Sequence, residues 1–197
     1  MTMQTTPESF KSAERLREEN ALVLDFLPNG YPLDNRPSYM KTPVCQALGL
    51  TKFILMEMVP KKDIFLQPHD EVYIGDGKRD KIHHINGKID YDKLTSTARS
   101  ELSVVIEERV KKDEGRFVKF FNTAQPMSTR MHLLELIPGL GKKHMWEIVE
   151  ARDEKPFESF ADIKARVKLM PDPEKAIARR ILNEIMGEEK HRLFTEP

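Results

Sequence analysis

LLELIPGLGKKHMWEIVEAR, residues 133–152, decides how the C-terminal part of the chain is read. Two apolar-patterned segments flank Pro138-Gly139-Leu140-Gly141, and Lys142 and Lys143 follow at once. Pro138 fixes φ as the chain leaves the first segment. Gly139 and Gly141 allow positive φ and keep Cβ atoms out of the corner. The second segment begins near Gly141 as a helix. Its first amides have no intrahelical acceptor, and the macrodipole makes that end positive. An anion placed there meets N–H groups already aimed at it. With two lysines at the same point, Gly139, Leu140, Gly141, Lys142 and Lys143 have the chemistry of a phosphate-backbone contact.

Outward from this corner the pattern reads as helix. A first helix is expected over about 127–137, with Met131, Leu134 and Ile137 on one side. A second runs from about Lys142 to Arg152, with Met145, Ile148 and Val149 inward. Ser159 opens a third, with Asp162 in the capping-box position and a stripe of Phe160, Ile163 and Val167. Asp172-Pro173 opens a fourth as cap and first-turn proline, and Gly187 ends it. These make two helix–turn–helix pairs, 128–152 and 159–187. The second turn, LMPD, has no glycine and carries Asp172, so the second pair is expected to be a structural partner.

The N-terminal part has a different period. ALVLDFL (21–27) reads as a strand, and the proline-rich PNGYPLDNRPSYMKTP after it as a loop. Residues 44–59 read as one long strand bent near Gly49, and EVYIG (71–75) and KIHHI (81–85) as short strands. Short strands at close spacing predict a small barrel. Residues 95–112 form an amphipathic helix capped by Thr95, while 116–121 fits either a strand or a helical turn. The expected division is a flexible extension over 1–20, a barrel domain over 21–125, a helical domain over 126–188 and a polar tail over 189–197.

Composition narrows the function. The 197 residues hold 32 basic and 32 acidic side chains. By segment these are 4 against 6 in 1–40, 15 against 13 in 41–127 and 13 against 13 in 128–197. Phosphate affinity must therefore come from local geometry, since bulk positive charge is absent. No apolar run is long enough to cross a bilayer, and residues 1–20 lack a signal-peptide core. Cys45 is the single cysteine, so no intrachain disulfide can form, and a cytoplasmic location is expected.

LLELIPGLGKKHMWEIVEAR resembles a helix-hairpin-helix motif. That resemblance implies sequence-independent contact with DNA or RNA backbone. It also implies a monovalent cation on the hairpin carbonyls near Ile137 and Gly139, with Trp146 and Val149 on the packing side. YIGDGKRDKIHHI, FFNTAQPMSTRMHLLELIPGLGKKHMWEI, KPFESFADIKARV and HRLF further resemble an uncharacterised, mainly archaeal family of predicted nucleic-acid-binding proteins. The likeness spans roughly residues 20–195. It implies an α+β chain: a small OB/S1-like β-barrel with an added helix, followed by an all-α tandem helix-hairpin-helix domain. RNA is implied over DNA on this likeness alone, with a place near translation or ribosome assembly.

Other motifs carry less. Lys52, Phe53, Tyr73, Lys78, Arg79 and Lys81, with Phe65, offer a possible single-strand face on the barrel. GDGKRDK lacks the phosphate-loop spacing and reads as a charged turn. His83 and His84 are adjacent in a strand and so are expected on opposite faces, unable to share a metal. No cofactor is expected. The expectation is a non-catalytic nucleic-acid binder. The alternatives are an adaptor docking on ribosomal or polymerase proteins and a metal-dependent nuclease using Asp70, Glu71, Asp76 and Asp80.

Overall fold

A computed structural model describes residues 18–32 and 34–196. The expected extension over 1–20 lies mostly outside them. Among the described residues, five strands form one antiparallel sheet: β1 (Asn20–Leu27), β2 (Val44–Gly49), β3 (Leu55–Pro60), β4 (Glu71–Tyr73) and β5 (Ile82–Lys88). Their order is β4-β1-β2-β3-β5, so the sheet curls as a half-barrel with β4 and β5 at its edges. Helices α1 (Ser96–Lys112) and α2 (Glu114–Thr123) follow. A two-stranded ribbon, β6 (Pro126–Ser128) and β7 (Met131–His132), leads to a 3-10 turn at Leu133–Leu136. Helices α3 (Lys142–Glu154), α4 (Phe160–Arg166) and α5 (Pro173–Met186) complete the order.

The central strands β1–β3 pack on both faces, while β4 and β5 keep exposed positions. Ala21, Val23, Cys45, Ala47, Met58 and Ile82 fill the inside of the curl. Alternation along β1 sets Leu24 opposite Val23, on the face where it joins Leu48, Leu55 and the helices, and the register shift between Val23 and Asp25 brings Asp25 to that face as well. Gln46 on the central strand is fully buried and hydrogen-bonded throughout. Its amide donates to the Tyr31 hydroxyl (2.9 Å) and the Lys93 carbonyl (3.0 Å), and its oxygen accepts from Thr95 N (2.9 Å). Thr95 caps α1 by accepting from Ala98 N at 3.0 Å.

One continuous apolar cluster runs from Leu24 and Phe53 through Leu102, Phe117, Leu134 and Ile177 to Phe194. The sheet and the C-terminal helices therefore share a core across the expected boundary near residue 125.

Several expectations change. Residues 44–59 are two strands, with the chain reversing through Phe53 at φ +54. Residues 116–121 lie in α2, which buries Phe117, Val118 and Phe121. The expected helix over 127–137 shrinks to one 3-10 turn. His132 caps its start by accepting from Leu134 N at 3.1 Å, and Ile137 before Pro138 is extended. Start and stop signals five residues apart leave room for nothing longer.

The polar tail is not free. Phe194 and Thr195 are buried, and the Phe194 ring lies 5.1 Å from Phe120 and 5.5 Å from Phe117.

Candidate functional site

The hairpin follows from its termini. Leu140 N donates to the Ile137 carbonyl at 3.0 Å, closing a tight turn. Leu140 is 4% exposed and anchors that turn in the core. Gly139 has φ +85, and a Cβ there would lie 3.1 Å from Pro171 Cγ. The LMPD turn thus backs directly onto the first hairpin. Gly141 is the N-cap of α3 in extended conformation and supplies no side-chain cap. A Cβ at Gly141 would meet nothing within 4 Å, so this side of the corner is open.

The first intrahelical bond of α3 runs from Met145 N to the Gly141 carbonyl at 3.0 Å. The amides of Lys142, Lys143 and His144 precede it, and no acidic residue lies in that turn. Lys142 and Lys143 are both exposed. Lys143 is only loosely paired, with Glu147 at 3.9 Å.

Trp146 departs from the expected packing side: it is 60% exposed. The inward positions of α3 are Met145 and Ile148. Trp146 stands four residues from Lys142, so the two share the outer face. Val149 is half-buried.

A groove between the hairpin and α5 is lined by residues 135–141 together with Arg179, Arg180, Asn183 and Glu189. Arg180 is buried and donates to the Leu136 carbonyl at 2.9 Å. That guanidinium is itself paired with Glu184 and Glu189. Of the carbonyls expected to hold a monovalent cation, that of Ile137 already accepts from Leu140 N. Arg179, exposed on the groove wall, carries no signal in the sequence that ties it to the hairpin. Only the fold brings α5 beside the hairpin.

The barrel-face residues are dispersed in role. Phe53 is 1% exposed and belongs to the core, with the Arg116 guanidinium 5.4 Å from its ring, so it cannot stack a base. Lys52 pairs with Glu196 at 2.5 Å. The Tyr73 hydroxyl accepts from Gly77 N at 3.1 Å, and Arg79 Nε donates to the Gly75 carbonyl at 3.0 Å. Both are thereby committed to the β4–β5 turn. Lys78 is exposed and Lys81 half-buried. Phe65 is 70% exposed, edge-on to Phe26.

His83 and His84 do not take opposite faces. A register shift between Val59 and Pro60 bulges β5, and the two Nδ1 atoms lie 2.7 Å apart. Asp70 accepts from Gln67 N, and Glu71 lies 3.9 Å from Lys112. Among the described residues no group of three His, Cys, Asp or Glu side chains is placed to hold a metal ion. No helix among them is long and apolar enough to cross a membrane.

The class is thus a mixed α+β protein: among the described residues, a curled five-stranded antiparallel sheet and five helices, with a glycine hairpin exposed at the start of α3. The chain belongs to the family described as "Protein of unknown function (DUF655)", whose model matches residues 17–196. A relative, the uncharacterized protein MJ0038 of Methanocaldococcus jannaschii, is 46% identical over 177 residues, covering 90% of this chain and 78% of that protein. The crystal structure of Af1531 from Archaeoglobus fulgidus is similar with a TM-score of 0.84 and 46% identity. That match covers 91% of this chain and all of that one.

Proposed function

We propose that the protein binds nucleic-acid backbone without catalysis and largely without regard to sequence, through the hairpin at Gly139–Leu140–Gly141 and the lysines at 142 and 143. In this reading the C-terminal helices are a helix-hairpin-helix unit with a shortened first helix. The half-barrel is an opened relative of the OB/S1-like fold. The protein works in the cytoplasm, on RNA or DNA backbone.

The observation that carries the reading is the open corner itself. Three α3 amides without a side-chain cap, two exposed lysines and a Cβ-free approach converge at Gly141. Backbone phosphate is the anion that suits helix amides and flexible lysines together. Arg179 extends positive charge along the neighbouring groove.

Trp146 is the single tryptophan and lies one turn from Lys142, so its fluorescence reports on the site. Titration with single- and double-stranded RNA and DNA should change that emission. Affinity should fall with salt at a slope of about −0.7 to −0.9 per neutralised phosphate. Lys142→Glu with Lys143→Glu should remove most of it. Unchanged binding by that folded double variant would overturn the site. Capture of protein partners that survives nuclease treatment, with no response to nucleic acid, would point to the adaptor instead.

A further inference from the structure

The turn that backs the hairpin holds a residue the fold does not explain. Leu169 has φ +54, in the left-handed region that glycine or asparagine adopts easily and a leucine does not. Its side chain is also 86% exposed. Backbone strain and an unburied isobutyl group both disfavour the folded state. Neither is offset by a contact of the leucine side chain in a core. Strained residues of this kind concentrate at functional sites.

The turn is held, not loose. His144 Nε2 lies 3.2 Å from the Leu169 carbonyl oxygen. Pro171 sits against Gly139. Asp172 pairs with Lys164 at 2.9 Å and caps α5 by accepting from Lys175 N. Leu169 is thus fixed beside the first turn of α3, immediately after Lys142 and Lys143. Lys168 next to it is exposed. The acidic group of this turn, Asp172, is already engaged by Lys164.

An exposed aliphatic group flanked by lysines suits a polyanion with apolar edges. Nucleic acid offers such edges in two ways. Bases of a single strand stack on aromatic side chains. Base steps of a duplex accept leucine, isoleucine or methionine as wedges from the minor groove. A branched aliphatic side chain belongs to the second.

We propose that Leu169 is a minor-groove wedge for duplex nucleic acid. With a backbone phosphate on the amides of residues 142–144, the LMPD turn lies over the adjoining groove. Leu169 then enters a base step and partly unstacks it. This rests on the hairpin reading above and adds the preferred substrate class: a duplex, bound best where its steps deform easily.

The test uses the full chain and short DNA and RNA duplexes carrying 2-aminopurine beside a flexible pyrimidine–purine step, with the matching single strands as controls. The native protein should raise 2-aminopurine emission on duplex binding. Leu169→Gly and Leu169→Asn should melt at or above the native temperature, because both relieve the backbone. Both should bind duplex about tenfold more weakly and fail to unstack it, a loss equivalent to about 1.4 kcal/mol. Their salt slope should match the native one, since no phosphate contact is removed. Native-like affinity and unstacking by both variants would overturn the wedge, as would binding confined to single strands. Either result leaves the hairpin intact, because the hairpin is tested separately, by Lys142→Glu with Lys143→Glu.

Discussion

Arg180 and Glu184 stand one turn apart on α5 and pair at 2.8 Å, with side chains 2% and 0% exposed. Glu184 also accepts from the amides of Leu193 (2.8 Å), Phe194 (3.1 Å) and Thr195 (3.0 Å) and from the Thr195 hydroxyl. Arg180 reaches on to Glu189 at 2.6 Å and to the carbonyls of Leu136 and His191. One buried pair therefore ties the hairpin, α5 and the C-terminal segment together. Replacing Glu184 leaves the buried Arg180 with Glu189 as its remaining ion partner and frees the amides of 193–195. Glu184→Leu should lose about 3–5 kcal/mol in urea unfolding. Adding Arg180→Met should restore part of that, though the freed amides of 193–195 keep the double variant below native. A double variant no better than the single one would mean the under-paired guanidinium is not the main loss.

His69 bridges the loop before β4 to α1. Its ring nitrogens lie 2.7 Å from Glu101 Oε2 and 3.2 Å from Glu108 Oε2. The hydrogen bond to Glu101 raises the imidazole pKa against a smaller opposing effect of burial, and Glu108 adds to the rise. A raised folded pKa gives stability that is fully present below the unfolded value of about 6.5. That stability is lost as pH climbs through the folded pKa. The site is partly exposed, so the effect is about 1 kcal/mol or less. His69→Asn tolerates the φ of +71 and isolates the charge. Its deficit against native should be largest near pH 6 and shrink toward pH 9. A deficit that grows with pH would contradict the pairing.

Cys45 lies fully buried in β2, and burial pushes its thiol up to about 12. Thiolate is the reactive form, so the native protein should resist iodoacetamide at pH 8. Labelling should appear only as the sheet opens, and its rate should track unfolding in urea. As the only cysteine, it gives one unambiguous signal. Fast labelling of the folded chain would place β2 nearer the surface than the sheet allows.

Where the chain announces its structure, it does so through local chemistry. Thr95, Ser159 and Asp172 each accept from the amide three residues on, as their sequence positions suggest. Gly187 ends α5 at φ +76. The β2–β3 reversal was hidden because it turns on Phe53, a core aromatic in a conformation glycine usually takes. The first helix is shorter than its apolar spacing suggests because the chain starts it at His132, and histidine is an uncommon cap. The C-terminal segment looked polar because its anchoring runs through backbone amides to a carboxylate nine to eleven residues earlier. At the candidate site the glycines and lysines were readable as a corner. Arg179 and Leu169 needed the fold to bring α5 and the second turn beside it.

The two hairpin glycines should answer differently to substitution, and the contrast tests what the corner is for. Gly139 combines φ +85 with a Cβ position 3.1 Å from the Pro171 ring. Gly139→Ala should therefore lose at least about 1–2 kcal/mol, seen as a lower melting temperature. Gly141 has φ −92 and open space, so a side chain fits without strain. Gly141→Asp would supply the cap that α3 lacks and set a negative charge at its positive end. Capping and dipole together should stabilise by about 0.5–1 kcal/mol. The same carboxylate would occupy the amides that a phosphate needs. If the corner is an anion site, Gly141→Asp yields a protein that melts higher yet binds nucleic acid far more weakly. If the glycine serves only the turn, the variant gains stability and binds as the native chain does, and the phosphate reading fails.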